Sequence, residues 1–268
     1  MIKPISLCAV TALCVAASPV LPVRAQVLET VDSVVSVTLL EGWREPDGSH
    51  YAGIQIDLAP GWKTYWRAPG DGGIPTTTNW DGSDNLAFAK VFWPRPEVFR
   101  TFGMRSVGYA DRVVLPVHLE AKESGDIDAE LNLRLGVCNE ICLPVDVSLS
   151  GVLSDTDVIG MVPIQAALTD RPETSEAKLS CTLTDLGDEY RLDIATNIAP
   201  LDGVAETSVV EVGDQRVWVS EPRFMRDDNW VLSTVRLIPQ HDKADVDLST
   251  VRMTLLTTTS ATELRGCD

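Results

Sequence analysis

Two cysteines with three residues between them, Cys138 and Cys142, are the residues of this chain best suited to chemistry. A thiolate that attacks a disulfide sulfur trades one S–S bond for another, and a neighbouring second thiol completes the exchange through a mixed disulfide. The pair sits inside Leu131-Asn-Leu-Arg-Leu-Gly-Val-Cys-Asn-Glu-Ile-Cys-Leu-Pro-Val-Asp-Val-Ser-Leu149. Leu131, Leu133, Leu135 and Val137 alternate with polar or small residues, and Leu143, Val145, Val147 and Leu149 do the same. Period-2 alternation predicts two strands joined at the cysteine turn, each with one face on a core. Cys138 shares its face with Arg134 and Gly136, and Cys142 shares its face with Asp146, so both sulfurs are expected to point away from the apolar face. So short a ring gains little chain-entropy stabilisation, and exposed or strained disulfides are the reducible ones. Gly136, lacking a side chain, is expected to leave room for another protein to reach the sulfur, and Pro144 removes a backbone donor at the start of the second strand. Two readings stand at this level: a redox-active pair, and a hairpin staple that never cycles.

The elements that must carry this pair read as β-structure. Val31 to Leu39, Tyr51 to Leu58, and Val113 to Leu119 alternate. Gly61-Trp-Lys-Thr-Tyr-Trp-Arg67 is a short aromatic strand that ends in the turn Pro69-Gly-Asp-Gly-Gly73. Leu86 to Trp93 is another strand, closed by Pro94 and Pro96. Pro94 to Gly108 shows no clean periodicity. With the cysteine hairpin this makes a β-sandwich ending near residue 153. Residues 154–177 read as a linker, with one or two helical turns over Val162–Asp170 and Pro163 in the first turn. Alternation resumes around Leu179, Tyr190, Val217, Val231 and Val251, giving a second β-rich domain over 178–268. The expected fold class is all-β, two sandwich-like domains in tandem.

The first residues set the compartment. Lys3, an apolar run from Ile5 to Val23 and the small residue Ala25 form a secretory signal peptide over 1–25, which removes Cys8 and Cys14. Pro19 and Pro22 break that run, which argues against a membrane anchor. Four cysteines then remain: Cys138, Cys142, Cys181 and Cys267. An even number in an exported chain predicts two disulfides in an oxidising compartment, here the periplasm. Cys181 and Cys267 stand near the two ends of the second domain. A bond between them closes a long loop, worth on the order of 4 kcal/mol of chain entropy, and is assigned a structural role. The net charge of −17 argues against nucleic acid or anionic membrane as a partner. No Ser/His/Asp, P-loop or dinucleotide pattern is present, and Gly70 to Gly73 lacks the phosphate-loop lysine. No cofactor and no resident metal are expected.

From about Val31 to Gly151 the chain resembles the N-terminal periplasmic domain of the DsbD thiol:disulfide interchange proteins. The blocks that carry the resemblance are Gly61-Trp-Lys-Thr-Tyr-Trp-Arg, Pro69-Gly-Asp-Gly-Gly, Val91-Phe-Trp-Pro, Gly108-Tyr-Ala-Asp-Arg-Val-Val-Leu-Pro-Val117 and Val137-Cys-Asn-Glu-Ile-Cys-Leu-Pro, in that order. The cysteine spacing is similar to that of the suppressor-of-copper-sensitivity branch, ScsB. Proteins of both kinds continue into a transmembrane electron carrier and a thioredoxin-like domain, so this chain looks like a free-standing receiving end.

The resemblance implies an immunoglobulin-like domain whose Cys138/Cys142 pair exchanges electrons, as a thiol:disulfide oxidoreductase of the protein-disulfide reductase type. It implies a transmembrane thiol electron carrier and periplasmic thioredoxin-like proteins as partners. It also implies a cap over the pair, matched by Arg95 to Gly108, with Phe102 as the ring over the disulfide and Tyr65 as an aromatic beside it. Arg100 and Thr101 stand about where the family has acidic cap residues. Glu140 in the turn opposes thiolate formation, and Arg100, Arg105 and Arg134 are the cations available to offset it. The branch resemblance adds copper(I) as an alternative ligand of Cys138 and Cys142, with Met104 as a further soft donor beside its plainer role in loop packing. A third reading is an all-β interaction protein in which both disulfides are structural.

Overall fold

The computed structural model describes residues 31–101, 103–154, 158–214, 216–240 and 246–267. The expected signal peptide and Phe102 lie outside the described residues. Among the described residues no helix is long and apolar enough to cross a membrane.

The first unit opens with a helical turn, α1 (Val31–Val34), and continues through ten strands. They are β1 (Val35–Arg44), β2 (His50–Leu58), β3 (Lys63–Gly70), β4 (Thr77–Asn79), β5 (Leu86–Val91), β6 (Glu97–Thr101), β7 (Met104–Ala110), β8 (Arg112–Ala121), β9 (Ile127–Cys138) and β10 (Cys142–Leu153). One sheet has the order β1-β2-β8-β5, and the other has β10-β9-β3-β7-β6 with β4 paired to β9. The alternation read from the sequence sets which face is buried. Ile54, Ile56, Leu115, Val117 and Leu119 of one sheet meet Trp66, Leu131, Leu133 and Leu135 of the other, all buried. This is the β-sandwich that the alternation predicts, and of the immunoglobulin-like kind that the family resemblance implies.

The segment from Pro94 to Gly108, aperiodic as a sequence, is a β-hairpin. Thr101 pairs with Met104, and Gly103 before Met104 has φ 82°. No residue but glycine enters that left-handed region freely, which fixes the turn.

The helix α2 (Met161–Thr169) is docked on the first unit. Its Ile164 is buried, and a Cβ on Gly53 of β2 would come within 2.7 Å of the Ile164 Cγ1. Small residues at such crossings let a helix approach a sheet closely.

The second unit contains β11 (Glu173–Thr174), β12 (Ser180–Asp185), β13 (Tyr190–Asn197), β14 (Thr207–Glu211), β15 (Val217–Val219), β16 (Arg223–Asp227), β17 (Trp230–Pro239), β18 (Arg252–Leu256) and β19 (Ala261–Arg265). They form two sheets, β11-β19-β18-β14 and β12-β13-β17-β15 with β16 on β17, around Leu192, Ile194, Val235, Leu237, Met253 and Leu255. Cys181 and Cys267 are bonded, with their Cα atoms 5.6 Å apart. Val209, Leu256 and Ala261 of this unit belong to the hydrophobic core of the first. The two units are therefore packed on one another through shared apolar surface.

Candidate functional site

Cys138 and Cys142 end β9 and begin β10, directly opposite each other, and are bonded with Cα atoms 4.1 Å apart. The turn between them is Asn139-Glu140-Ile141. The two sulfurs differ in surroundings. Cys142 is exposed, while Cys138 is 7% exposed although it lies on the face of β9 away from the core. Tyr65 accounts for the difference.

β3 lies beside β9, with Lys63 opposite Cys138 and Thr64 opposite Val137. Alternation turns Thr64 and Trp66 into the sandwich and leaves Lys63, Tyr65 and Arg67 on the other face. Thr64 donates a hydrogen bond to the Gly136 carbonyl at 2.9 Å and ties the two strands together. Tyr65 reaches across to the sulfurs. Its hydroxyl lies 2.8 Å from Cys138 Sγ, 3.5 Å from Cys142 Sγ and 3.2 Å from the Gly72 carbonyl. Tyr65 is 5% exposed, and burial raises its pKa above that of an ordinary phenol. At neutral pH it is therefore a protonated donor.

Glycines make the bed for this ring. A Cβ on Gly136 would lie 2.6 Å from Ile74 Cβ and 3.0 Å from Tyr65 Cδ2, and one on Gly73 would lie 2.9 Å from Tyr65 Cδ1. A Cβ on Gly108, opposite Tyr65 on β7, would lie 2.0 Å from the Thr64 carbonyl oxygen. This corrects one expectation. The space over Gly136 does not serve as an approach for a partner, because Tyr65 and Ile74 fill it. The approach runs instead past the exposed Cys142 and Ile141, the latter 61% exposed.

A shallow cleft leads to the sulfurs, walled by Lys63, Phe99, Met104 and Glu140. Lys63 Nζ sits 4.8 Å from the centre of the Phe99 ring. Met104 lies at the rim, with its Sδ 3.6 Å from where a Cβ on Gly72 would be. Phe102, the ring expected over the disulfide, lies outside the described residues.

The three arginines proposed to offset Glu140 are committed elsewhere. Arg134 pairs with Asp146 across the hairpin at 2.7 Å, Arg100 pairs with Glu221, and Arg105 donates to the Ser208 carbonyl at 2.9 Å. Lys63 is the cation that lines the cleft. Sequence reasoning missed it, although its place two residues before Tyr65 on an alternating strand puts the two on one face. Likewise Gly73 and Gly108 are signals readable only once the strands are paired.

Arg67, the third outward residue of β3, reaches the second unit. It donates to Glu211 at 2.9 Å and pairs with Glu263.

Residues 33–154 match the model of a family described as thiol:disulfide interchange protein DsbD, N-terminal. Among solved structures, the chain is similar to the N-terminal periplasmic domain of ScsB from Proteus mirabilis. The TM-score is 0.68 at 22% identity, over 89% of this chain and 95% of that one. At that identity the likeness is one of fold, and it spans both β units. No curated protein matches the chain.

Proposed function

Because residues 33–154 belong to the family of DsbD N-terminal domains, we propose that Cys138 and Cys142 are the exchanged pair of a periplasmic thiol–disulfide interchange module. The observation that carries this reading is the asymmetry of the pair: Cys142 is open to attack, and Cys138 is buried beneath the Tyr65 hydroxyl.

A thiolate of a partner dithiol attacks Cys142 Sγ. A bond forms between the partner sulfur and Cys142, the Cys138–Cys142 bond breaks, and its electron pair leaves on Cys138. The Tyr65 hydroxyl donates to that thiolate, and a stabilised thiolate is the faster leaving group. The partner's second thiol then loses its proton and attacks the partner's own sulfur in the mixed disulfide. Cys142 leaves and is protonated. The partner is oxidised by two electrons and the pair is reduced. The same steps in reverse pass electrons to an oxidised thioredoxin-like protein, with Cys142 as attacking thiolate. A transmembrane thiol carrier as donor and a thioredoxin-like acceptor suit this scheme, because each offers a paired dithiol.

Removal of the resolving cysteine traps the intermediate. A Cys138→Ala variant is expected to accumulate a covalent adduct through Cys142 with a thioredoxin-like protein, seen as a reductant-sensitive band on non-reducing electrophoresis and identified by mass. A copper(I)-holding pair or a plain staple forms no such adduct. Absence of any partner band with either single-cysteine variant would falsify the exchange reading.

A further inference from the structure

The hairpin β6–β7 has two faces with different neighbours. Phe99, Met104 and Ser106 line the cleft over the sulfurs. Arg100 and Arg105, which stand directly opposite each other across the hairpin, belong to the alternate set and meet the second unit. Two guanidiniums facing each other on adjacent strands repel; Arg100 is largely exposed, but Arg105 is 3% exposed, so water screens the repulsion from one side only. Burial, and then Arg100, oppose the charge on Arg105, while Glu221 supports it.

One residue of the second unit offsets both. The Glu221 carboxylate pairs with Arg100 and lies 4.0 Å from Arg105 Nε. It also lies near the Asp71 carboxyl of the Pro69–Gly73 turn, which burial and then the Glu221 charge hold above the ordinary carboxylate value. That turn is the opposite wall of the site, since Gly72 both underlies Met104 and accepts the Tyr65 hydroxyl. Glu221 itself is held firmly. It follows β15, is preceded by Ser220, whose N–H donates to the Arg236 carbonyl at 3.0 Å, and is followed by Pro222.

We infer that Glu221 is a positioning residue for the Cys138–Cys142 site, and that a role of the second β unit is to brace the β6–β7 hairpin beside the sulfurs from behind. The reading concerns access to the cysteines and rests on the exchange reading only for its biological meaning. Without the carboxylate, Arg100 loses its ion-pair partner and Arg105 is left with the Ser208 carbonyl and the Asp71 charge to offset its neighbour. The hairpin then lifts from the cleft, and the sulfurs react faster with any small reagent.

The test uses the full chain with the Cys138–Cys142 pair selectively reduced, and a small alkylating reagent as probe, so no redox partner is needed. Glu221→Gln is expected to raise the alkylation rate of Cys142 about fivefold, the size expected from loss of a partly exposed ion pair. Hydrogen exchange should rise in residues 97–110 and not in β13 or β17. Glu221→Asp should restore part of the protection, and Arg100→Gln added to Glu221→Gln should restore part of it too, by removing the repulsion. A general loss of structure would instead raise exchange throughout the second unit and would overturn the inference, as would alkylation rates for Glu221→Gln within about twofold of the parent chain. If these results hold while no partner adduct forms with Cys138→Ala, the brace stands and the exchange reading falls.

Discussion

A single hydroxyl separates two otherwise similar sulfurs. Tyr65→Phe keeps the ring in its glycine bed and removes the donor at 2.8 Å from Cys138. A hydrogen bond to a charged acceptor is worth roughly 1.5–3 kcal/mol. The variant is expected to be reduced about tenfold more slowly by a small dithiol, and its Cys138 thiol should titrate at higher pH. The melting temperature should change little, because no apolar contact is lost. A rate equal to that of the parent chain would reduce Tyr65 to packing. The cysteine pair itself was legible from spacing, and Tyr65 from a resemblance carried by its block of aromatic residues. What made the tyrosine's placement illegible is that its bed comes from Gly73, Gly108 and Gly136, three segments distant in the chain. A glycine shows which backbone has room and not what fills that room. For the same reason Gly136 read as an opening when it is a seat.

At the scale of elements, the two disulfides join the chain in different ways: one within a hairpin, the other between the two ends of the second unit. Cys138–Cys142 closes a turn and offers an exposed sulfur, whereas Cys181 and Cys267 both pack against the second core and tie β12 to the strand end beyond β19. Mild reductant is therefore expected to open Cys138–Cys142 first. Partial reduction, alkylation and mass mapping report the order, and equal opening of both pairs would contradict it. The strands that flank the sulfurs were legible because each has a core face and an open face. The β6–β7 hairpin was not, because near its turn neither face is a plain core face; only further along, at Val107 and Tyr109, does β7 enter the core. One side presents Phe99, Met104 and Ser106 to the cleft, and the other presents Arg100 and Arg105 to the second unit, so no apolar period survives in the sequence.

For the whole molecule, the junction between units carries a second group of charges. Arg67 of β3 meets Glu211 and Glu263, and Glu263, whose side chain is 4% exposed, also bonds to Arg265. Burial pushes the Glu263 carboxyl up, but Arg67 and Arg265 more than offset this and leave it below the ordinary glutamate value. A carboxyl depressed on folding stabilises the fold above its unfolded-state pKa, about 4.3, and that contribution is lost as pH falls through the folded value. Arg67→Met is expected to cost about 2 kcal/mol at neutral pH, since it leaves a buried carboxylate with one partner fewer. The gap in melting temperature between variant and parent should narrow below about pH 4. A gap independent of pH would show that Arg67 acts by packing alone. None of this junction was legible in sequence. The stretch around Arg171-Pro-Glu-Thr read as linker-like by composition, and its polar character says nothing of the short strand β11 that it contributes beside β19.

Synthesis runs from the first residue to the last, and the shared core gives that direction a consequence. Val209, Leu256 and Ala261 complete the packing of the first unit, so that unit stays unfinished until nearly the whole chain has been made. Cys138 and Cys142, four positions apart, emerge almost together and can bond at once. Cys181 must wait through 86 further positions for Cys267. During that wait the other cysteines among the described residues are Cys138 and Cys142, and a closed turn leaves neither as a free thiol for Cys181 to be oxidised with. The short ring thus narrows the choice of partner for the long one before the second unit has closed.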